Sequence, residues 1–196
     1  AVKDFLWPDR IVIGARSAEA FSTMEDIYKP LYRNKKSIML TNIETAEMIK
    51  YSSNAFLALK ISYINEVANL CEKVGADVHQ VAIGMGQDGR ISSKFLHPGP
   101  GFGGSCFPKD TKAFLAISEE HGMSMKTIDA AIIINEQQKV KMFDKLNKLL
   151  KFNLNKKNIS ILGLSFKPNT DDIRESPAID MIKMIVSNGG IVNAFD

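Results

Sequence analysis

The residues whose types and spacing best suit chemistry lie in the segment HPGPGFGGSCFPKD, residues 97–110. Its one cysteine, Cys106, is followed closely by Pro108, Lys109 and Asp110. Proline favours the first position of a helix, so Cys106 is predicted just before a helix N-terminus, whose partial positive charge stabilises a thiolate. Asp110 suits either the helix dipole or a base acting on water. The pattern leaves two interpretations of Cys106 open, a nucleophilic cysteine and a buried core thiol.

The glycines of this segment allow a second interpretation. Residues 99–104 fit the letters G-x-G-x-x-G of a dinucleotide-binding loop. That loop follows a buried strand, whereas KFLHP stands here, and Pro98 and Pro100 remove two backbone donors. We expect instead that Gly103 and Gly104 leave room for a substrate beside the sulfur.

The other polar candidates are weaker. Lys50 and Asn54 stand four residues apart in a predicted helix and so share one face, although a lysine there is commonly a surface residue. Cys71, between apolar neighbours, is interpreted as core. The three histidines are scattered, which predicts no metal site, and a thiol hydrolase would have only His97 as its nearby histidine.

Composition excludes several classes of protein. The 196 residues are 45% hydrophobic, enough for one or two cores, and 25 basic against 22 acidic residues give a net charge of +3. This charge favours neither nucleic acid nor a membrane surface, and no apolar run approaches the ~18 residues of a membrane span. Two cysteines with different surroundings indicate reduced thiols, so we expect a cytoplasmic protein.

The predicted elements change in character along the chain. A strand at 9–15 precedes a helix capped by Ser17, and a long helix at 42–74 has Thr41 and Glu44 as a capping box and Gly75 as its stop. This helix is apolar on several sides, which is typical of a central element or a subunit interface.

Shorter helices are predicted at 77–84, 108–121 and 124–150, then a strand at 159–166, a helix at 175–190 and a strand at 191–195. The predicted fold is therefore a mostly α central domain with a long core helix, followed by the start of a Rossmann-like α/β domain, truncated at both ends.

Several segments carry a resemblance to one family. Four segments resemble the UDP-glucose/GDP-mannose dehydrogenase family, in its order and approximate spacing: GFGGSCFPKD, DGRISSKFLHPGPGFGG, AEMIKYSSNAFLALKISYINEVANLCEKVGAD and GLSFKPNTDDIRESPA. A fifth segment, WPDRIVIG, is similar to the family's sequence at the corresponding place. The match is closer to the UDP-glucose members. The resemblance implies the end of an NAD-binding domain at 1–34, a helical dimerisation domain at 35–150 and the start of a UDP-sugar-binding domain at 151–196.

The resemblance also implies an activity and a set of catalytic residues. The family oxidises the C6 alcohol of a nucleotide sugar to the uronic acid with two NAD. Cys106 matches the nucleophile that forms a thiohemiacetal and then a thioester. Lys50 matches the residue that stabilises the C6 oxyanion, Asn54 its hydrogen-bonding partner, and Asp110 the aspartate that handles water, with its proton role left open.

The same resemblance implies binding residues and a partner. The substrate residues are Phe95, Leu96, His97, Pro98, Gly99, Gly103 and Lys167, with Arg90 reaching the neighbouring subunit's sugar site. Lys109 and Arg174 match residues near NAD, and the helix at 42–74 matches the core of a homodimer.

The expected departures concern what the chain lacks. We expect most of the NAD site to lie in an N-terminal domain missing from these 196 residues, so that they are inactive alone. The alternatives are a non-catalytic helical dimerisation module, or a dehydrogenase of GDP-mannose or UDP-N-acetylhexosamine.

Overall fold

The computed structural model describes residues 6–34 and 38–196, and these divide into two compact units, one that ends at Ser53 and one from Asn54 to Asp196. The described part is mostly helical, as predicted. In chain order its elements are β1 Ile11–Gly14, α1 Ala18–Tyr28, a 3-10 helix Lys29–Asn34, β2 Ile38–Thr41, α2 Ile43–Val74, α3 Val78–Gln87, α4 Phe107–Glu120, α5 Lys126–Leu149, β3 Asn158–Leu162, α6 Pro177–Ser187 and β4 Ile191–Phe195.

The first unit contains a pair of parallel strands that only partly match the prediction. β1 lies beside β2, with Ile11 opposite Ile38, and the side chains of Ile11 and Ile13 are buried. The predicted cap of α1 is confirmed, because the Ser17 hydroxyl accepts a hydrogen bond from the Ala20 N–H at 3.2 Å. β2 was not predicted; its sequence IMLT contains two β-branched residues where the equally short β1 contains three, so its strand signal is weaker.

The predicted capping box at the start of the long helix is wrong. Thr41 is the last residue of β2, paired with Gly14, so the cap falls to the next residue. The Asn42 side chain accepts a hydrogen bond from the Thr45 N–H at 2.8 Å, and the Glu44 carboxylate instead faces Arg16 at 3.6 Å. The helix itself is confirmed over Ile43–Val74.

In the second unit, α2 and α5 approach closely where their side chains are small. Ala58 and Ala131 are fully buried, and the hydroxyl of Ser62 donates to the Ala131 carbonyl at 2.7 Å. Further along α5, the buried Lys139 ammonium binds Glu136 at 3.0 Å and Asp180 of α6 at 2.9 Å. A buried charge requires such paired partners, so this ion pair fixes α6 to α5.

The last part of the chain forms the predicted β-α-β unit. β3 and β4 are parallel, and α6 packs on them through a core that contains Phe143, Leu154 and Ile185. The predicted strand at 159–166 is too long at its C-terminal end: β3 stops at Leu162 because Gly163 adopts a φ of 94°. Among the described residues, no helix is long and apolar enough to cross a membrane.

Candidate active site

Cys106 occupies the position that the sequence predicts, immediately before a helix. It is the N-cap residue of α4, its side chain is exposed, and its carbonyl accepts a hydrogen bond from the Asp110 N–H at 2.8 Å. The helix begins at Phe107, so Pro108 is its second residue rather than its first. The sulfur thus lies at the positive end of the α4 dipole. Cys71 is buried in α2.

Asp110 is fully buried one turn into α4, and it joins two helices. Its Oδ2 accepts a hydrogen bond from Asn54 Nδ2 on α2 at 2.6 Å, and its Oδ1 accepts one from the Lys109 ammonium. A carboxylate can be buried only with such compensation. The structure therefore brings together Asn54, Lys109 and Asp110 one turn from Cys106.

The two glycines before Cys106 serve a purpose different from the one predicted. The Gly104 N–H donates to the Arg174 carbonyl at 2.7 Å. A Cβ on Gly103 would overlap the Glu175 carbonyl oxygen, and one on Gly104 would lie 2.6 Å from the Phe166 ring. The space expected for a substrate at these two residues is thus filled by the chain itself, because residues 166–175 pack directly on the glycine backbone.

This packing places the Arg174 backbone against the loop that leads to the cysteine. The Arg174 guanidinium donates to the Asp172 carboxylate at 2.9 and 2.8 Å. These bonds, with one from the Arg174 N–H, lower the pKa of Asp172 to about 2. Asp172, and to a smaller extent the nearby Cys106, raise the pKa of Arg174. The Arg174 side chain is itself exposed. Lys167, also exposed, lies over the Phe166 ring, with its ammonium 5.2 Å from the ring centroid.

The predicted substrate segment, residues 95–99, leads into the same loop. Phe95 has a φ of 65°, and its ring makes an edge contact with Phe107 at 5.9 Å between centroids. The Leu96 side chain is buried, so a bound molecule would meet its backbone rather than its side chain. His97 is exposed, Pro98 and Gly99 are half-buried, and Gly99 is hydrogen-bonded through both its N–H and its carbonyl.

Two predicted residues are described apart from this cluster. Lys50 is on α2 but belongs to the first unit, where its ammonium lies 5.2 Å from the centroid of the Tyr51 ring. Its place in the site stays a prediction. Arg90 is exposed in the turn after α3 and binds Asp88 through contacts that include one of 2.6 Å, which lowers the pKa of Asp88. A role for Arg90 in a second subunit also stays a prediction.

Sequence reasoning missed the side-chain amides that hold the loop. Asn65, Asn135 and Gln138 are buried and contact the backbone of Gly99 or Phe102. The signal available in the sequence was a side-chain amide at a helical position that is predicted to be buried, where apolar residues are usual. The part of the chain that the structure describes holds no group of three His, Cys, Asp or Glu arranged for a metal.

Comparison with known proteins gives a consistent result. Residues 44–137 match the central domain of the UDP-glucose/GDP-mannose dehydrogenase family, and residues 160–196 match its UDP binding domain. The whole chain is 50% identical to a UDP-glucose 6-dehydrogenase of Rickettsia bellii and 49% identical to UDP-glucose 6-dehydrogenase TuaD of Bacillus subtilis. It covers 45% and 42% of these proteins, so it spans under half the length of the curated relatives it matches.

Solved structures show the same relationship. A UDP-glucose dehydrogenase from Pyrobaculum islandicum superposes with a TM-score of 0.94 at 40% identity, over 99% of this chain and 44% of that one. A UDP-D-ManNAc dehydrogenase from Pyrococcus horikoshii gives 0.85 at 29% identity, over 100% and 46%. Both family segments and the similarity along the whole chain lead to one conclusion: this chain belongs to the UDP-glucose/GDP-mannose dehydrogenase family.

Proposed function

We propose that the intact protein is an NAD-dependent UDP-glucose 6-dehydrogenase, which oxidises the C6 alcohol of UDP-glucose to the uronic acid. The observation that carries this proposal is the exposed Cys106 at the start of α4, one turn from the buried Asp110 carboxylate and its partner Asn54. A helix N-terminus activates a thiol, and a buried, fixed carboxylate can orient water or a reacting oxygen. The names of the relatives support the choice of UDP-glucose.

The chemistry proposed for Cys106 is addition of its sulfur to an aldehyde at C6 of the sugar. The C6 alcohol first becomes an aldehyde. The Cys106 thiolate adds to the aldehyde carbon, which gives a thiohemiacetal with one new C–S bond. Loss of hydride from that carbon gives a thioester, and attack by water breaks the C–S bond, releasing the carboxylate and the thiol. Each of the two oxidations releases one hydride, and two NAD, when bound, would each accept one.

The remaining predicted site residues would bind the substrate and the cofactor and orient the reacting groups. Lys50 would stabilise negative charge on the C6 oxygen, and Asn54 with Asp110 would hold the sugar and the attacking water. Lys167, with residues 95–99, would contact the nucleotide sugar, whereas Gly103 would serve the packing of residues 166–175 instead. Arg174 and Lys109 would lie near NAD, since both side chains are exposed and positively charged, which suits a phosphate.

We also infer a homodimer through the helix predicted at 42–74. On α2, Phe56, Tyr63 and Leu70 recur every seven residues and are each about half exposed or more. A heptad spacing of exposed apolar residues is what a second helix packs against. Arg90 would then reach the sugar site of the neighbouring subunit. The three-domain division at 1–34, 35–150 and 151–196, and a cytoplasmic location that suits two free cysteines, belong to the same proposal.

One experiment tests the reaction and its substrate together. The intact protein is incubated with NAD and, in parallel, with UDP-glucose, UDP-N-acetylmannosamine or GDP-mannose, and NADH and uronic acid are measured. We expect two NADH per uronate with UDP-glucose, and slower reaction with the others. A higher kcat/KM for another sugar would overturn the substrate, and a failure to form NADH from any of them would favour the dimerisation module.

The 196-residue chain alone is the matched control. Its matched segments are the central and UDP binding domains of the family, so we expect it to form no NADH from UDP-glucose. Turnover by this chain, verified by mass, would contradict that expectation.

A further inference from the structure

The loop that leads to Cys106 is held by side chains rather than by regular secondary structure. Residues 99–104 belong to no helix or strand, yet Phe102, Gly103 and Gly104 are buried. Buried N–H and carbonyl groups require partners. At Gly99 and Phe102, all four backbone groups find those partners in three side-chain amides.

Asn135 of α5 makes the most complete of these contacts. Only 3% of its surface is exposed. Its Oδ1 accepts a hydrogen bond from the Phe102 N–H at 2.7 Å, and its Nδ2 donates to the Phe102 carbonyl at 3.0 Å. The contact requires a glycine at 101, because a Cβ there would lie 2.9 Å from Asn135 Oδ1 and φ is 117°.

Two more amides hold the start of the loop. The fully buried Asn65 of α2 accepts a hydrogen bond from the Gly99 N–H at 2.8 Å, and Gln138 of α5 donates to the Gly99 carbonyl at 2.9 Å. Asn69, one turn after Asn65, donates to Gln138 Oε1 at 3.0 Å and so fixes which way the glutamine amide points.

The held backbone is connected to the cysteine through aromatic rings. The Phe102 ring makes an edge contact with the Phe107 ring at 5.9 Å between centroids. Phe107 is the first residue of α4 and follows Cys106 directly. The position of Phe102 therefore bears on the position of the sulfur, and Gly99 belongs to the segment proposed to bind the sugar nucleotide.

We infer that Asn65, Asn135 and Gln138 are positioning residues, an amide clamp that holds residues 99–102 so that the loop backbone and Cys106 meet the nucleotide sugar together. The catalytic part of this inference rests on the proposed function; the holding of the loop does not. Asn135 contributes most because it makes two bonds. Asn65 contributes less, because it makes one bond and its Nδ2 has no partner within the described residues.

Hydrogen exchange of the loop amides tests the holding directly. In the wild-type 196-residue chain, we expect the Gly99 and Phe102 amides to be protected although they lie outside any helix or strand. Asn135→Ala should accelerate exchange at Phe102 by about tenfold and at Gly99 by less, since the two amides depend on different side chains. Gln137→Ala, which removes an exposed side-chain amide from the same helix, is the matched control. Its Gly99 and Phe102 backbone amides should exchange at the wild-type rate.

Two results would overturn the clamp. One is unprotected exchange at Gly99 and Phe102 in the wild type, a measurement that holds even if Asn135→Ala does not fold. The other is a folded Asn135→Ala chain whose Phe102 amide exchanges as slowly as that of Gln137→Ala. Gln138→Ala, which removes one loop bond, supplies a second variant and should accelerate exchange of the loop while α4 keeps its protection.

Kinetics of the intact protein separate positioning from general stability. Asn135→Ala should lower kcat/KM for UDP-glucose by about tenfold while KM for NAD stays near the wild-type value. Unchanged kcat/KM for the sugar in the folded variant would contradict a positioning role. A wild-type protein that forms no NADH would contradict the proposed function instead, and the exchange measurements would still decide whether the amides hold the loop.

Discussion

At the scale of single residues, the site depends on a carboxylate that is buried and must be compensated. Asp110 has no exposed surface, whereas Cys106 four residues earlier is exposed. The start of α4 thus presents a soft nucleophile outward and keeps a fixed anion inward, held by Asn54 from α2. This division suits a thiol that must meet a substrate and a carboxylate that must not move.

The Asn54–Asp110 hydrogen bond gives a prediction about stability. Asn54→Ala removes one bond to the buried carboxylate and should lower the free energy of unfolding by about 1–3 kcal/mol. Asn54→Asp should cost more, because two carboxylates would then face each other. Urea unfolding followed by circular dichroism measures both, with Glu66→Ala, an exposed change on the same helix, as the control. Equal stability of Asn54→Asp and the wild type would rule out the compensating role.

At the scale of elements, the glycine loop and residues 166–175 act as one packed layer. Gly104 combines a φ of 82° with a Phe166 ring 2.6 Å from where a Cβ would lie. Gly104→Ala should therefore lower the free energy of unfolding by about 1–3 kcal/mol. The control is Gly84→Ala in α3, where a Cβ meets nothing within 4 Å and should stabilise by about 1 kcal/mol. The melting temperatures of both variants are measured by thermal unfolding. A shift of both in the same direction would contradict this account.

The turn that carries Arg174 gives a pH prediction. The folded-state pKa of Asp172 is lowered from 3.8 to about 2, chiefly by the Arg174 side chain. Such a group stabilises the folded chain above about pH 4, and that contribution is lost as pH falls through about 2. An NMR titration of the Arg174 amide, whose N–H donates to Asp172, should show a midpoint near 2. A midpoint near 3.8 would show that the ion pair does not form.

The comparison of prediction with structure also belongs to the scale of elements. Local sequence signals were sufficient to predict Cys106 before a helix, the helix α2 and the β-α-β order. Caps, helical periodicity and buried strands all depend on residues that are close together in the sequence. The local signals failed where the role of a residue depends on a contact with a residue far away in the sequence. Gly103 and Gly104 serve a segment about 70 residues later in the chain, and the amide of Asn135 serves Phe102. A single sequence contains no record of such contacts.

At the scale of the whole molecule, the account predicts association through α2. Leu70→Glu places a charge in the stripe of Phe56, Tyr63 and Leu70 and should convert a dimer into a monomer, because a buried unpaired charge is unfavourable. Met123→Glu makes the same kind of change at an exposed apolar residue outside α2 and should leave the dimer intact. Sedimentation velocity measures the masses. A monomeric wild type, or a dimeric Leu70→Glu variant, would contradict the proposed interface.

The central claim is that Cys106 is the nucleophile of a nucleotide-sugar dehydrogenase, and one pair of variants tests it most directly. Cys106→Ala and Cys71→Ala are compared in the intact protein, with UDP-glucose and NAD, for the rate of uronic acid formation. The account predicts a loss of about a thousandfold or more for Cys106→Ala, because the covalent route is removed, and little change for the buried Cys71→Ala. Uronic acid formed at the wild-type rate by Cys106→Ala would contradict the account.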